Sequence, residues 1–155
     1  NPDEHPRLGI CISPFTNQNP YIETLHLIPR QTVLGIGCRE GISPEDMESF
    51  VERTLQELCI DLDSLLAIDL KEKESCLIEL SHKYQIPFHT YDALTLSQVQ
   101  GQFSSSEYVK TVTGVDNVCE RAALACSGAD ALTLHKTIDS GKTLAIAMVP
   151  IQLYF

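Results

Sequence analysis

The stretch TVLGIGCREGISPEDM, residues 32–47, decides the fold. Its first six residues are a short apolar run with β-branched members, the pattern of a strand buried on both faces. A helix start follows. Ser43 has the side chain of an N-cap, Pro44 suits the first helical position, and Glu45 and Asp46 fall in the first turn, where the helix dipole favours negative charge. Met47, Phe50, Val51, Leu55 and Leu58 then recur at helical spacing and define one apolar face. Residues 65–70 (LLAIDL) read as a second strand and 74–84 as a second helix with Leu77, Ile78 and Leu80 inward. Residues 87–91 read as a third strand, entered through Ile86-Pro87. Strand, helix, strand, helix, strand at this spacing predicts right-handed crossovers and a parallel sheet.

Outward from that core the signals are shorter. Asp92 caps a helix over 93–100, Ser104 to Ser106 form a turn, and helical turns begin at Glu107 and break at Gly114. Residues 119–126 (CERAALAC) are a compact Ala-rich helix. Residues 131–135 and 143–149 are strand-like, and Asp139-Ser140-Gly141 between them is hairpin chemistry, so this last pair is expected to be antiparallel. Residues 8–12 and 21–28 read as short strands among the breakers Ser13-Pro14, Asn17 and Asn19-Pro20. The expected fold class is α/β: a mixed, mostly parallel sheet flanked by helices in three layers, with a C-terminal antiparallel hairpin. Residues 1–31 are expected to be a connector from a preceding domain, and 32–155 a single α/β domain.

The 155 residues are 43% hydrophobic and 21% charged, which is globular rather than disordered composition. Eleven Lys and Arg against 21 Asp and Glu give a net charge of −10, a field that repels nucleic acid and anionic membranes. An anionic ligand must therefore be held by local donors. No apolar run reaches the roughly 20 residues of a membrane span. The six cysteines form no C-x-x-C pair and have no His at zinc-finger spacing. They read as reduced thiols of a cytoplasmic protein, with Cys59, Cys76, Cys119 and Cys126 as small core residues, and no metal or cofactor is expected. The chain opens Asn1-Pro2-Asp3-Glu4 without Met or a signal region, and reads as a piece of a longer polypeptide.

Ligands of open parallel sheets sit beyond the carboxyl ends of the strands. Four groups of residues are expected near that edge. The first is the loop 35–41 with Gly37, Cys38, Arg39 and Gly41, running into Ser43. Glycines let backbone N–H groups approach an anion, the helix dipole adds positive charge, and Arg39 can clamp a carboxylate through two donors. It is neither a dinucleotide fingerprint, since Glu40 stands where the third Gly belongs, nor a P-loop. The glycines are equally explained by strand-to-helix geometry alone. The second group is Asp69 with Lys71 at the exit of the second strand: Asp69 is a candidate general acid/base, or else a solvated cap. The third is His89 at the end of the third strand, with His135 and Lys136 at the hairpin. The fourth is a polar wall supplied by Lys110 and Glu120. Asp69 and His89 are the catalytic candidates. No nucleophile is specified, and His26 and His82 read as structural.

Read together, the stretches at 25–47, 67–75, 105–128 and 132–147 resemble, in order, the C-terminal domain of the CbiG/CobE family of cobalamin-biosynthesis proteins. The G-I-G-C-R-x-G segment and its capped helix are the most distinctive. The chain departs at Arg121, where the pattern has Pro or a small residue, and in a longer hairpin. The resemblance implies a domain that binds a corrinoid or precorrin intermediate. It implies a fragment of a cobalt-precorrin-5A hydrolase, which opens a δ-lactone and releases acetaldehyde, or of a fusion with a precorrin methyltransferase. Its expected partners are the precorrin, the parent chain's other domains and other enzymes of the pathway, with no nucleic acid and no membrane. The isolated domain is expected not to be catalytic alone. The alternative is a scaffold that hands intermediates between enzymes.

Overall fold

In a computed structural model, which describes residues 6–70, 75–90, 98 and 118–154, the run around Leu34 is the central strand of a five-stranded sheet. The elements are β1 (Leu8–Ile12), β2 (Glu23–Leu27), β3 (Thr32–Cys38), α1 (Pro44–Glu57), β4 (Leu65–Leu70), α2 (Ser75–Tyr84), β5 (Phe88–Thr90), α3 (Val118–Ser127), β6 (Leu134–Asp139) and β7 (Lys142–Met148). The main sheet runs β5-β4-β3-β7-β6. The pairs β3–β4 and β4–β5 are parallel, whereas β3–β7 and β6–β7 are antiparallel. The sheet is therefore mixed but not mostly parallel. The hairpin does not extend an edge as a separate pair; its second arm, β7, lies directly against β3 and makes half the pairings antiparallel. The hairpin turns at Ser140 and Gly141, both with positive φ (46° and 85°), as a two-residue connection between twisted strands requires. The helical turns expected over 93–100 and from Glu107 fall outside the described residues, apart from residue 98.

The three layers follow from side-chain size. Along β3, Leu34 and Ile36 point to one face, where with Ile68, Leu144 and Ile146 they meet Met47, Phe50, Val51 and Leu55 of α1 and Cys76, Leu77 and Leu80 of α2. Full burial of each such side chain contributes about 1.5–3 kcal/mol. The opposite face is built from small residues. Ala145 and Ala147 pack there against Cys119, Ala123 and Leu124 of α3. A Cβ on Gly35 would lie 1.8 Å from the Cys119 carbonyl oxygen and 3.0 Å from the Ala123 Cβ. The helix backbone thus rests almost directly on β3. One face of the sheet is thick with Leu and Ile, the other thin.

Ser43 caps α1, its hydroxyl accepting from the Asp46 N–H at 3.1 Å. Lys83 of α2 pairs with Glu48, and the Tyr84 hydroxyl donates to Glu52 at 2.9 Å, joining the two helices on their outer side. Ahead of β3, β1 and β2 form their own two-stranded parallel sheet. The segment after β1 is held to the turn beyond α1 by Thr16 N–H to Cys59 C=O (2.7 Å) and Asp61 N–H to Pro14 C=O (2.8 Å). Among the described residues no helix is long and apolar enough to cross a membrane.

Gly35→Ala is expected to lower stability by about 3 kcal/mol or more, because backbone rather than a flexible side chain meets the new methyl. Gly41→Ala, at φ +86° with nothing within 4 Å, is expected to lower it by only about 1 kcal/mol. Urea unfolding of both variants, read by circular dichroism, checks the contrast.

Candidate functional site

The thin face brings together in space candidate residues that lie far apart in the sequence. Gly35, Asp69 and His89 occupy one cross-strand row, Gly35 opposite Asp69 and Asp69 opposite His89. Asp69 is fully buried. It is thus not the solvated strand-exit carboxylate that was one expectation, because α3 covers the row on which it stands. Its charge reaches α3: the Cys126 thiol is pushed up to about 11, first by burial and then by Asp69. His89, on the edge strand, is exposed.

Glu120 stands in the first turn of α3 and is also fully buried. One of its carboxylate oxygens lies 2.9 Å from Nδ1 of His135 on β6, whose side chain is 58% exposed. A β-bulge makes this contact. Leu134 pairs with Ile146 and Thr137 with Leu144, so β6 spends three residue steps where β7 spends two. Leu134 packs on the thick face, and the extra residue lets His135 turn toward α3. Lys136, half-buried in the same bulge, lies near enough for its charge to act on Cys119. Burial dominates there and pushes the Cys119 thiol up to about 12, with Lys136 pulling the other way.

The loop after β3 is shorter than the sequence suggests. Gly35 and Gly37 belong to the strand, Gly37 because a Cβ would lie 2.8 Å from the Thr143 hydroxyl. For these two glycines close packing, not anion binding, is sufficient reason. Arg39 is exposed; its N–H donates to the Gly141 carbonyl at 2.9 Å, and its stem lies across Gly141 at the hairpin tip. Among the described residues no carboxylate pairs with its guanidinium. Arg53 and Lys142, by contrast, both lie on Asp139, at 2.8 and 3.7 Å. Ser43 spends its hydroxyl on its own helix, and Glu45 and Asp46 already offset the dipole there. Of the groups at this edge, the Arg39 guanidinium is therefore more available to a ligand than the helix N-terminus. Lys71 and Lys110 lie outside the described residues.

Cys38 ends β3 with its Sγ 3.4 Å from Sγ of Cys76, the second residue of α2. The 38-residue separation hid this pair, just as 15 residues and a bulge hid the pairing of Glu120 with His135. All six cysteines are free thiols. A 380 Å³ cavity lies at the other end of α1, between Thr16, Glu52, Gln56 and Asp61. Its two carboxylates suit an acidic ligand poorly. Among the described residues no three His, Cys, Asp or Glu side chains are grouped as metal ligands.

Comparison with known proteins gives this geometry a context. Residues 32–147 match the family model described as cobalamin synthesis G C-terminus. A cobalt-precorrin-5A hydrolase of Priestia megaterium is 35% identical over 125 residues, which are 79% of this chain and 33% of that protein. Protein CobE of a Sinorhizobium species is 30% identical over 120 residues, 74% of this chain and 78% of that one. The crystal structure of CobE, a protein from the cobalamin (vitamin B12) biosynthetic pathway, superposes with a TM-score of 0.73 at 30% identity, covering 81% of this chain and 95% of that one. The chain spans about a third of the length of the hydrolases it matches.

Treating the chain with diamide, which takes two hydrogens from a thiol pair, is expected to join Cys38 to Cys76. The product is 2 Da lighter with two fewer titratable thiols, and neither change appears in Cys76→Ser. A wild-type mass unchanged by diamide contradicts the proximity.

Proposed function

The chain belongs to the cobalamin synthesis G C-terminus family, and from that membership we propose that it binds a precorrin intermediate as one domain of a cobalt-precorrin-5A hydrolase-like protein. The observation that carries the reading is the exposed guanidinium of Arg39 at the carboxyl edge of β3, in no ion pair among the described residues, on a chain whose net charge is −10. A precorrin bears many carboxylates. Binding it to so acidic a protein needs a cation not already spent on the protein's own acids, and Arg39 meets that requirement. Lys136, which is likewise in no ion pair among the described residues, adds a second positive charge from the β6 bulge. The relatives named cobalt-precorrin-5A hydrolase favour hydrolysis as the parent protein's reaction, and the resemblance described above implies its form: opening of a δ-lactone on the contracted ring, with release of acetaldehyde.

A second reading has its own observation. Ile10 lies opposite Leu25 and Ile12 opposite Leu27 across the β1–β2 sheet, and all four are exposed, between 42% and 56%. A two-stranded sheet is marginal by itself. A stripe of this kind favours docking against another domain of the parent protein or another enzyme of the pathway, to which the intermediate is handed.

Titration of the chain with cobalt-precorrin-5A, or with hydrogenobyrinic acid as a surrogate, is expected to show micromolar or tighter binding. Arg39→Ala is expected to weaken it more than tenfold, since a charge-assisted bond contributes about 1.5–3 kcal/mol. A wild-type chain that binds neither compound removes the first reading. Co-purification with a precorrin methyltransferase, lost in the Ile10→Asp, Leu25→Asp double variant, supports the second.

A further inference from the structure

We propose that His135 and Glu120 form a proton-transfer dyad, with Glu120 the positioning residue and His135 the group that acts on an ester or lactone carbonyl. The proposal deepens the hydrolase reading and rests on it for its substrate class. It begins with an asymmetry of burial: the carboxylate is fully enclosed, while the imidazole bonded to it is 58% exposed. A surface ion pair leaves both partners wet. Here only the ring meets solvent, and the buried oxygen at 2.9 Å holds its Nδ1 edge. When Nδ1–H donates to that oxygen, Nε2 on the far edge carries a lone pair and can accept a proton. An imidazole held through one nitrogen by a buried carboxylate is the arrangement that general-base histidines require.

Two further features show that the ring is placed rather than incidental. The β6 bulge interrupts the ladder to turn His135 toward α3. The backbone of α3 is in turn fixed by its contact with Gly35, one residue before Glu120, so the carboxylate has little freedom to follow a wandering ring. Around the dyad, among the described residues, Cys119 on α3 lies within reach of the charges of both Glu120 and Lys136, with the Thr143 hydroxyl of β7 against its thiol. Lys136 is a cation on the same strand as His135, suited to the oxygen on which negative charge develops.

The step balances without a metal or redox partner. Nε2 takes a proton from water as the water oxygen bonds to the carbonyl carbon, and the carbonyl electron pair moves onto its oxygen. The tetrahedral adduct re-forms the carbonyl by expelling the ring oxygen of the lactone, which receives the proton from Nε2–H. One water is consumed, one C–O bond is made and one broken, and a carboxylic acid and an alcohol result; acetaldehyde then leaves as the alcohol O–H proton is lost and its carbon's bond to the macrocycle breaks, the electron pair staying on the macrocycle, which takes up a proton.

The dyad departs from the expectation that this domain is inert alone, so the test uses the full chain and two substrates, cobalt-precorrin-5A followed by acetaldehyde release, and p-nitrophenyl acetate, which needs no tetrapyrrole site. His135→Ala is expected to lower kcat on the first at least 100-fold with KM changed less than threefold, and added imidazole is expected to restore part of the rate. Glu120→Gln is expected to lower kcat at least tenfold and to move the ¹⁵N shifts of the His135 ring away from the Nδ1–H form. On p-nitrophenyl acetate the wild type is expected to exceed folded His135→Gln at least threefold. Equal rates for wild type and His135→Gln on both substrates overturn the dyad, even if the tetrapyrrole binds. Loss of tetrapyrrole binding with the ester difference intact overturns the substrate assignment and leaves the dyad standing.

Discussion

The closeness of one helix backbone to one glycine governs this molecule. Where the Cys119 carbonyl lies over Gly35, any side chain on β3 would lift α3 off the sheet. Because nothing larger than hydrogen is present, α3 settles onto a surface of Gly and Ala and carries Glu120 into the interior at its first turn. The thick face has the opposite logic. Leu34, Ile36, Ile68, Leu144 and Ile146 fill it to closure against two helices, which leaves stability there and no room for chemistry. The fold thus divides labour between the two sides of one sheet.

Charge explains why the ligand edge narrows to so few residues. On a chain of net −10, three cations among the described residues are spent on the chain's own acids: Arg53 and Lys142 share Asp139, and Lys83 lies between Glu48 and Glu52. The exposed pairs of Arg53 and Lys83 add little stability, but they remove a cation from use. Arg39 escapes because its stem is drawn across Gly141, whose missing side chain and left-handed backbone leave it a shelf. The hairpin glycine therefore serves both the turn and the placement of the arginine.

Much of this could be read before any coordinates. The short apolar run with β-branched members at 32–37 and the Ser43-Pro44 helix start identified β3 and α1, because runs of this length and patterns of period 3.6 are set by neighbours in the chain. Asp139-Ser140-Gly141 gave the turn for the same local reason. What stayed hidden depends on distance along the chain. The position of β7 beside β3 is a choice between an edge and an interior slot, and no local pattern encodes it. The glycines of TVLGIG suggested an anion loop, but a glycine demanded by a helix 84 residues later looks identical in the sequence. Cys76 read as filler because its partner, Cys38, is brought to it only by the crossover through α1 and β4.

Burying carboxylates is the least economical thing this fold does, and it does so twice on the same side. Asp69 and Glu120 are both fully enclosed, and both lie where α3 meets the sheet. Removing such a group from water costs several kcal/mol unless its partners compensate, and an apolar residue of equal size would remove that cost. Thick-face packing shows that the chain has apolar residues to spare for that purpose. Stability therefore does not account for the two acids, and the residues they stand with argue for function instead. Asp69 shares its row with His89, and Glu120 bonds His135, so each buried acid has a histidine on a more exposed strand beside it. Strained or costly polar groups gather where a protein acts. That reasoning favours the thin face for the proposed chemistry, along β5 and β6, the outer strands of the sheet among the described residues, with the β6 side the better prepared because there the acid and the imidazole already touch.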